Sequence, residues 1–419
     1  MRIIWVGDAV VSTGFSLCTH NVCDVLHEMG HEVIVIGINH FGSPHDYPYK
    51  IYPAVDPFDG GRDAFGVGRL ALLTQRLNPD VICILQDPWN IDGYLKELAA
   101  LKKDCPEVTI PPVVAWCAVD SLNQRGDQLN GLSRLIVWTD FAAKELKKGG
   151  YKSDIDVVNL GVDLERFSPR DKEESRKIAG ISNISVDSFV VGVVGRNQPR
   201  KRLDLTLSYF SAWIKSCGVD NAYLYLHVAP TGEQGCNIHS LVRYYGLGGK
   251  VVLSQPHIGH GIVGDEMAYI YSAFDVYMST SQGEGWGLPC MEAMACGVPC
   301  IVPDWSALGD WPREAVVKVP CTSTALTAPL NSYPYTIGGV PDETEFVRAL
   351  HNLYTSAAHR DVYRRRGPSL VAQERFRWPN IGGRFESILR SVVSNVPVEA
   401  TPEPATSHGL RLVSAGGAE

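Results

Sequence analysis

Two carboxylates bracket a glycine-rich turn between Gln282 and Pro299, in the run Gln-Gly-Glu-Gly-Trp-Gly-Leu-Pro-Cys-Met-Glu-Ala-Met-Ala-Cys-Gly-Val-Pro. Pro289 suits the first helical position and Gly297 the left-handed residue after the last turn, so the run reads as a loop opening directly onto a helix. Gly283, Gly285 and Gly287 leave room for a ligand at backbone N–H groups that continue to Leu288, where the helix dipole favours a phosphate. Glu284 in the loop and Glu292 in the first helical turns would accept hydrogen bonds from hydroxyls, one set on a bound sugar and one on a ribose. The plain alternative makes Glu292 a capping carboxylate and Glu284 an exposed loop acid.

Arg196 and Lys201 follow the apolar run 189–195. A strand ending at Gly195 would set both cations at a crevice, where they stabilise the charge that a leaving diphosphate gains. Arg200-Lys201-Arg202 is equally a charge run of the kind found on solvated turns. Other constellations are weaker. His257-x-x-His260 has metal-like spacing but no third ligand nearby, and reads as a loop. Cys290, Cys296 and Cys300 follow no zinc spacing and read as core. Trp213, Trp305 and Trp311 could border an acceptor site, with burial as their default fate. There is no Gly-x-Ser-x-Gly, no Walker loop and no dinucleotide fingerprint after the first strand.

Elements able to position these groups alternate along the chain. Apolar runs at 2–6, 33–36, 81–85, 113–117, 135–138 and 156–160 are separated by helical patterns at 15–29, 67–77 and 94–102, which predicts a parallel, doubly wound α/β sheet. A charged helical connector spans 171–178, and strands then restart at 189–195, 222–227, 250–253, 276–279 and 298–302. Residues 320–341 read as a long surface loop and 343–391 as helices. The expected organisation is a first Rossmann-like domain over 1–168, a second over 186–375, a helix over 376–395 that returns to the first domain, and a disordered tail over 396–419. Two such domains face their strand C-termini across a cleft, a geometry suited to a ligand with two polar halves. The 419 residues are 45% hydrophobic with a net charge of -8, which weighs against binding nucleic acid by bulk electrostatics. Scattered cysteines, 11 in all, read as buried thiols of a reducing compartment. Residues 1–7 turn polar too soon for a signal peptide and no apolar run reaches the ~20 residues of a membrane span, so the expected location is the cytoplasm.

The 282–299 run resembles the Glu-x7-Glu motif of family 4 retaining glycosyltransferases. Residues 157–169 resemble the segment that ends the first domain in that family, and Gly195-Arg196 with Lys201 resembles the Gly-Arg…Lys pattern that opens the second. Phe376-Arg377-Trp378 resembles the Phe-x-Trp ahead of the returning helix, so the likeness covers nearly the whole chain. It implies the GT-B fold and a nucleotide diphosphate sugar as donor, with no cofactor and no metal; no Asp-x-Asp of the metal-dependent kind stands at a strand end. Arg196, Lys201, Glu292, Gly14, Gly285, Gly287 and Leu288 would bind the donor, and Glu284 would serve the transferred sugar. The chain departs from the family at three places: Val11-Ser12-Thr13-Gly14-Phe15 replaces a Gly-Gly loop, Arg202 stands where Gly is usual, and Asp120 where many members have His. Asp120 either accepts a sugar hydroxyl in place of that His or caps the segment after it. The Ser-Thr-Gly-Phe loop and the run 196–202 also resemble shorter members carried by phages, some of which glycosylate modified DNA bases. Acceptor classes are therefore a small glycoside, a lipid or polysaccharide precursor, or a hydroxymethylated DNA pyrimidine. The last would meet a basic patch at Arg125, Arg134 and Lys144 and stack on Phe15, Trp89 or Trp116. A non-catalytic nucleotide-sugar-binding module and a nucleotide-sugar epimerase of similar fold are the alternatives.

Overall fold

Strands that are apolar at every position need cover on both faces, and both sheets of this chain have such strands at their centre, VICIL over 81–85 in one and FVVGVV over 189–194 in the other. The computed structural model describes residues 1–55, 61, 63–232, 234–254, 266–327 and 335–394. In the first sheet β1 (Arg2–Asp8), β2 (Glu32–Ile38), β3 (Lys50–Pro53), β4 (Val81–Leu85), β5 (Val113–Cys117), β6 (Arg134–Val137) and β7 (Ile155–Val157) lie in the order β3-β2-β1-β4-β5-β6-β7. All of its pairings are parallel, and β4 and β5 are buried at every position. The second sheet holds β8 (Phe189–Val194), β9 (Ala222–His227), β10 (Val251–Leu253), β11 (Val276–Met278), β12 (Cys300–Pro303) and β13 (Val317–Val319), parallel throughout, in the order β10-β9-β8-β11-β12-β13. Strand order reverses between β1 and β4 in one sheet and between β8 and β11 in the other. A parallel sheet opens a crevice at that point, beyond the strand C-termini.

The helix Trp378–Ser394 lies on the first domain. A Cβ at Gly382 would come 2.5 Å from Val25 Cβ on the helix Gly14–Glu28, so glycine is what lets the two helices meet. Phe385 completes an aromatic cluster with Trp5 and Trp116, at ring separations of 5.5 and 5.0 Å. Trp116 is therefore core, at 1% exposure, and does not stack on a ligand. Trp213 and Trp311 are also buried, while Trp305 keeps partial exposure. Cys290, Cys296 and Cys300 are buried free thiols, as their apolar setting predicts.

Residues 320–341 are not a loop throughout: β14 (Cys321–Leu326) and β15 (Ile337–Pro341) pair as an antiparallel ribbon. Thr, Ser and Gly supply turn-like composition there, yet cross-strand pairing with a neighbour overrides it. His257, His260 and the tail 396–419 lie outside the described residues.

Candidate functional site

The cleft's second-domain wall forms where β8 and β11 end. After β8 come Gly195, Arg196 and a single 3-10 turn, Pro199–Lys201, which leads into the helix Leu203–Ser216. Arg202 makes that entry at φ 49°, in the left-handed region. Such a backbone explains why the resembled family places Gly there. Its guanidinium pairs with Asp204 at 2.9 Å rather than with Glu284. After β11 the chain runs through Gly283 to Gly287, whose φ of 90° turns it into the helix Leu288–Ala295.

Glu284 stands at the meeting point of these loops, 8% exposed. One carboxylate oxygen accepts from Lys201 Nζ and the other from Arg200 Nη1 at 3.1 Å, while Ser306 Oγ accepts from its backbone N–H at 2.9 Å. Burial alone would raise its pKa, but the charges of Lys201 and Arg200 outweigh burial and hold the carboxyl at about 2. Glu284 is thus an anion throughout the working pH range. Lys201 in turn is pulled below the usual ammonium range by burial, against the opposing pull of Glu284.

The facing wall carries three carboxylates, each just beyond or at the end of a neighbouring strand of the first sheet: Asp8 at the end of β1, Asp87 after β4 and Asp120 after β5. Asp8 accepts from Thr13 Oγ1 at 2.7 Å, and the same Thr13 oxygen caps the helix Gly14–Glu28 by accepting from Ser16 N. Burial raises the pKa of Asp8, with Thr13, Asn39 and Arg196 opposing the rise. Asp120 accepts from Ser121 Oγ at 2.7 Å and forms an ion pair with Arg200 Nε at 3.3 Å. Asp87 heads the helix Pro88–Asp104 but makes no capping bond with its side chain. Burial and then the nearby Asp120 and Asp8 charges push it up to about 7, with Arg200 opposing.

Glycines let these walls touch. A Cβ at Gly283 would fall 1.8 Å from the Asp120 carbonyl oxygen, one at Gly285 2.9 Å from Ala118 Cβ, and one at Gly14 3.1 Å from Leu288 Cδ1. At Gly285 the space a side chain would take is occupied by Ala118 and Trp138 of the first domain. Backbone bonds between Leu122 and Ile337, at 2.8 and 3.2 Å, fasten the domains beside this point.

Of the residues singled out from sequence, Glu284, Asp120, Lys201, Arg196, Gly14 and Leu288 converge on the cleft. Glu292 does not join that cluster; its carboxylate accepts from Tyr271 Oη at 2.6 Å. Burial raises its pKa from 4.5 to about 7, against Tyr271 and Arg166. The folded protein then holds this proton more tightly than the unfolded chain, so its contribution to stability falls as pH rises from about 4.5 to about 7 and is flat beyond. Glu292→Gln should accordingly gain on the wild type in thermal stability between pH 5 and pH 8. Melting curves that stay parallel across that range would contradict this.

Asp8, Asp87 and Arg200 were missed from sequence. The available signal was position, since the two acids lie at strand ends either side of the switch point and Arg200 lies in the turn after β8. The basic patch is compensated: Arg125 pairs with Asp127 at 2.8 Å, Arg134 with Asp156 at 2.6 Å, and Lys144 lies near Asp310. Phe15 packs edge-on against Trp138 at 5.6 Å, and Trp89 is 38% exposed. An open cavity of about 570 Å³ flanks the helix Gly14–Glu28, lined by Val10, Asp24, Glu28, His45, Asp46 and Tyr47 among others. Among the described residues no group of three or more His, Cys, Asp or Glu is placed to hold a metal ion, and no helix is long and apolar enough to cross a membrane.

Residues 188–329 match the family model of the Glycosyl transferases group 1. D-inositol 3-phosphate glycosyltransferase 2 of Catenulispora acidiphila is 31% identical over 216 residues, covering 50% of this chain and 46% of that protein. The D-inositol 3-phosphate glycosyltransferase of Mycolicibacterium smegmatis is 30% identical over 223 residues, covering 52% and 45%. The chain spans about half the length of the curated relatives it matches. Sucrose-phosphate synthase from Thermosynechococcus elongatus superposes with a TM-score of 0.70 at 17% identity, over 94% of this chain and 100% of that one. Anabaena HepE in complex with UDP-glucose superposes at 0.67 and 15% identity, over 93% and 100%. The fold is GT-B, and the second domain is similar to the group 1 glycosyl transferases over residues 188–329.

Proposed function

We propose that this protein is a retaining glycosyltransferase that moves a sugar from a nucleoside diphosphate to a small hydroxyl acceptor without a metal ion. The observation that carries the reading is Glu284, a buried anion held by Lys201 and Arg200 where the strand ends of both sheets face each other. Arg196 and Lys201 take the diphosphate and stabilise the charge it gains as the bond to the anomeric carbon breaks. Glu284 keeps lone pairs for the sugar's hydroxyls and favours the positive character that develops on the ring. Gly14 and Leu288 close on the donor from opposite walls, and Glu292 reaches the ribose by leaving Tyr271. The acceptor oxygen bonds to the face the phosphate leaves, and a phosphate oxygen takes its proton. Asp120 accepts a hydroxyl of the transferred sugar. A UDP-sugar donor fits the likeness to HepE, whose structure holds UDP-glucose. A neutral acceptor fits the carboxylates Asp24, Glu28 and Asp46 around the open cavity, and the compensated arginines offer little to a DNA duplex.

The test is nucleoside diphosphate release from a panel of nucleotide sugars, with and without excess chelator. Release should persist under chelation. Loss of turnover that Mg²⁺ or Mn²⁺ restores would contradict the assignment of the diphosphate to Arg196 and Lys201.

A further inference from the structure

We infer that Arg200 is the positioning residue of this enzyme, holding Glu284 and Asp120 of opposite domains in one site; this role rests on the transferase reading above. Four carboxylates crowd the cleft, Glu284 on one wall and Asp8, Asp87 and Asp120 on the other, and the cations Arg196, Arg200 and Lys201 act on them. Lys201 pairs with Glu284, and Arg196 acts on Asp8. Arg200 is within ion-pair distance of a carboxylate on each wall: Nε lies 3.3 Å from Asp120 Oδ2 and Nη1 lies 3.1 Å from Glu284 Oε2.

Its placement is fixed at both ends. Nη1 also donates to the Gly283 carbonyl at 2.9 Å, while the Arg200 carbonyl accepts from Gln282 N at 2.7 Å and from Ser281 Oγ at 3.3 Å. Backbone and side chain thus grip the same loop that carries Glu284. The walls are in van der Waals contact here, with no room for a side chain at Gly283. Two acidic loops brought this close repel unless a cation lies between them, and a guanidinium can address both carboxylates at once where an ammonium serves one point. Arg200 acts through Glu284 and Asp120 and holds their separation and orientation.

The experiment is a double-mutant cycle on the full chain with a nucleotide sugar that the wild type turns over. Arg200→Met should lower kcat by about 100-fold, as expected for displacement of reacting groups by an ångström or so, with the donor KM changed less than about fivefold. Asp120→Asn should cost a similar factor, and the double variant little more than either single one, because both remove the same bridge. Arg200→Lys should recover part of kcat. Thermal melts and circular dichroism report folding separately, since the Leu122–Ile337 bonds and the returning helix still join the domains. A merely structural role would lower the melting temperature and leave kcat per folded molecule unchanged, and that outcome overturns the proposal. So does strict additivity of the two substitutions. If the wild type releases no nucleoside diphosphate from any nucleotide sugar, the transferase reading falls and this role falls with it. Wild-type turnover with Arg200→Met within threefold sinks the positioning role alone.

Discussion

Glu284→Gln should reduce kcat by about two to three orders of magnitude while donor affinity changes less than about tenfold. The carboxylate is buried, carries two charge-assisted contacts and stays ionised down to about pH 2. An anion fixed in that way helps most when the sugar acquires positive character, which happens in the transition state and not in the bound donor. Glutamine keeps the shape and one acceptor but removes the charge. It also leaves Lys201 and Arg200 less neutralised, which favours the incoming diphosphate and keeps KM flat. Initial-rate kinetics and calorimetric titration of the donor check this. Loss of affinity equal to the loss in turnover would assign Glu284 to ground-state binding instead.

Gly283→Ala should abolish measurable turnover or reduce it more than 100-fold, by a route that leaves the chemistry intact. The added Cβ would lie 1.8 Å from the Asp120 carbonyl oxygen, an overlap no contact tolerates. Both partners are backbone, so no flexible side-chain end can yield. The walls must part by an ångström or more, and misplacement of that size costs about 10²-fold in rate. The strand ends at β8 and β11 are untouched by this change, so the second domain should still bind nucleoside diphosphate within a few-fold of wild type. Kinetics paired with calorimetry separate the two effects. Wild-type turnover in this variant would mean that the domain contact at Gly283 is not part of the working state.

Most strands and the long helices were legible because each is a clean apolar run or a clean helical stripe, and 67–77 reappears as the helix Val67–Leu77. What escaped was short or paired at an edge. Lys50–Pro53 is an edge strand of mixed character whose place is set by β2, and Val317–Val319 has too few residues to show a period. The ribbon of β14 and β15 is written in Thr, Ser and Gly, a composition that reads as loop until its partner is known. Pro88 begins a helix that periodicity alone starts at Tyr94, because the first turn buries little beyond Pro88 and Ile91. At the site, local motifs revealed the Glu284 loop and the Arg196–Lys201 turn, since each is contiguous in sequence. Of the acidic wall only Asp120 was legible, because Asp8, Asp87 and Asp120 come from three separate strand ends and become neighbours only through the order β1-β4-β5. Arg200 was hidden inside a basic run whose three members part ways in space, to Asp120 and Glu284, to Glu284, and to Asp204.

The most direct measurement is proton NMR of an α-linked nucleotide sugar incubated with the protein, observed before mutarotation scrambles the product. It needs no knowledge of the acceptor, since water slowly takes the acceptor's place. The expected products are nucleoside diphosphate and a sugar that appears first as its α anomer, in the presence of chelator, with neither formed by Glu284→Gln on the same timescale. A β anomer appearing first, an isomerised nucleotide sugar with no diphosphate released, or an intact donor with every nucleotide sugar tried would contradict retaining transfer at this site.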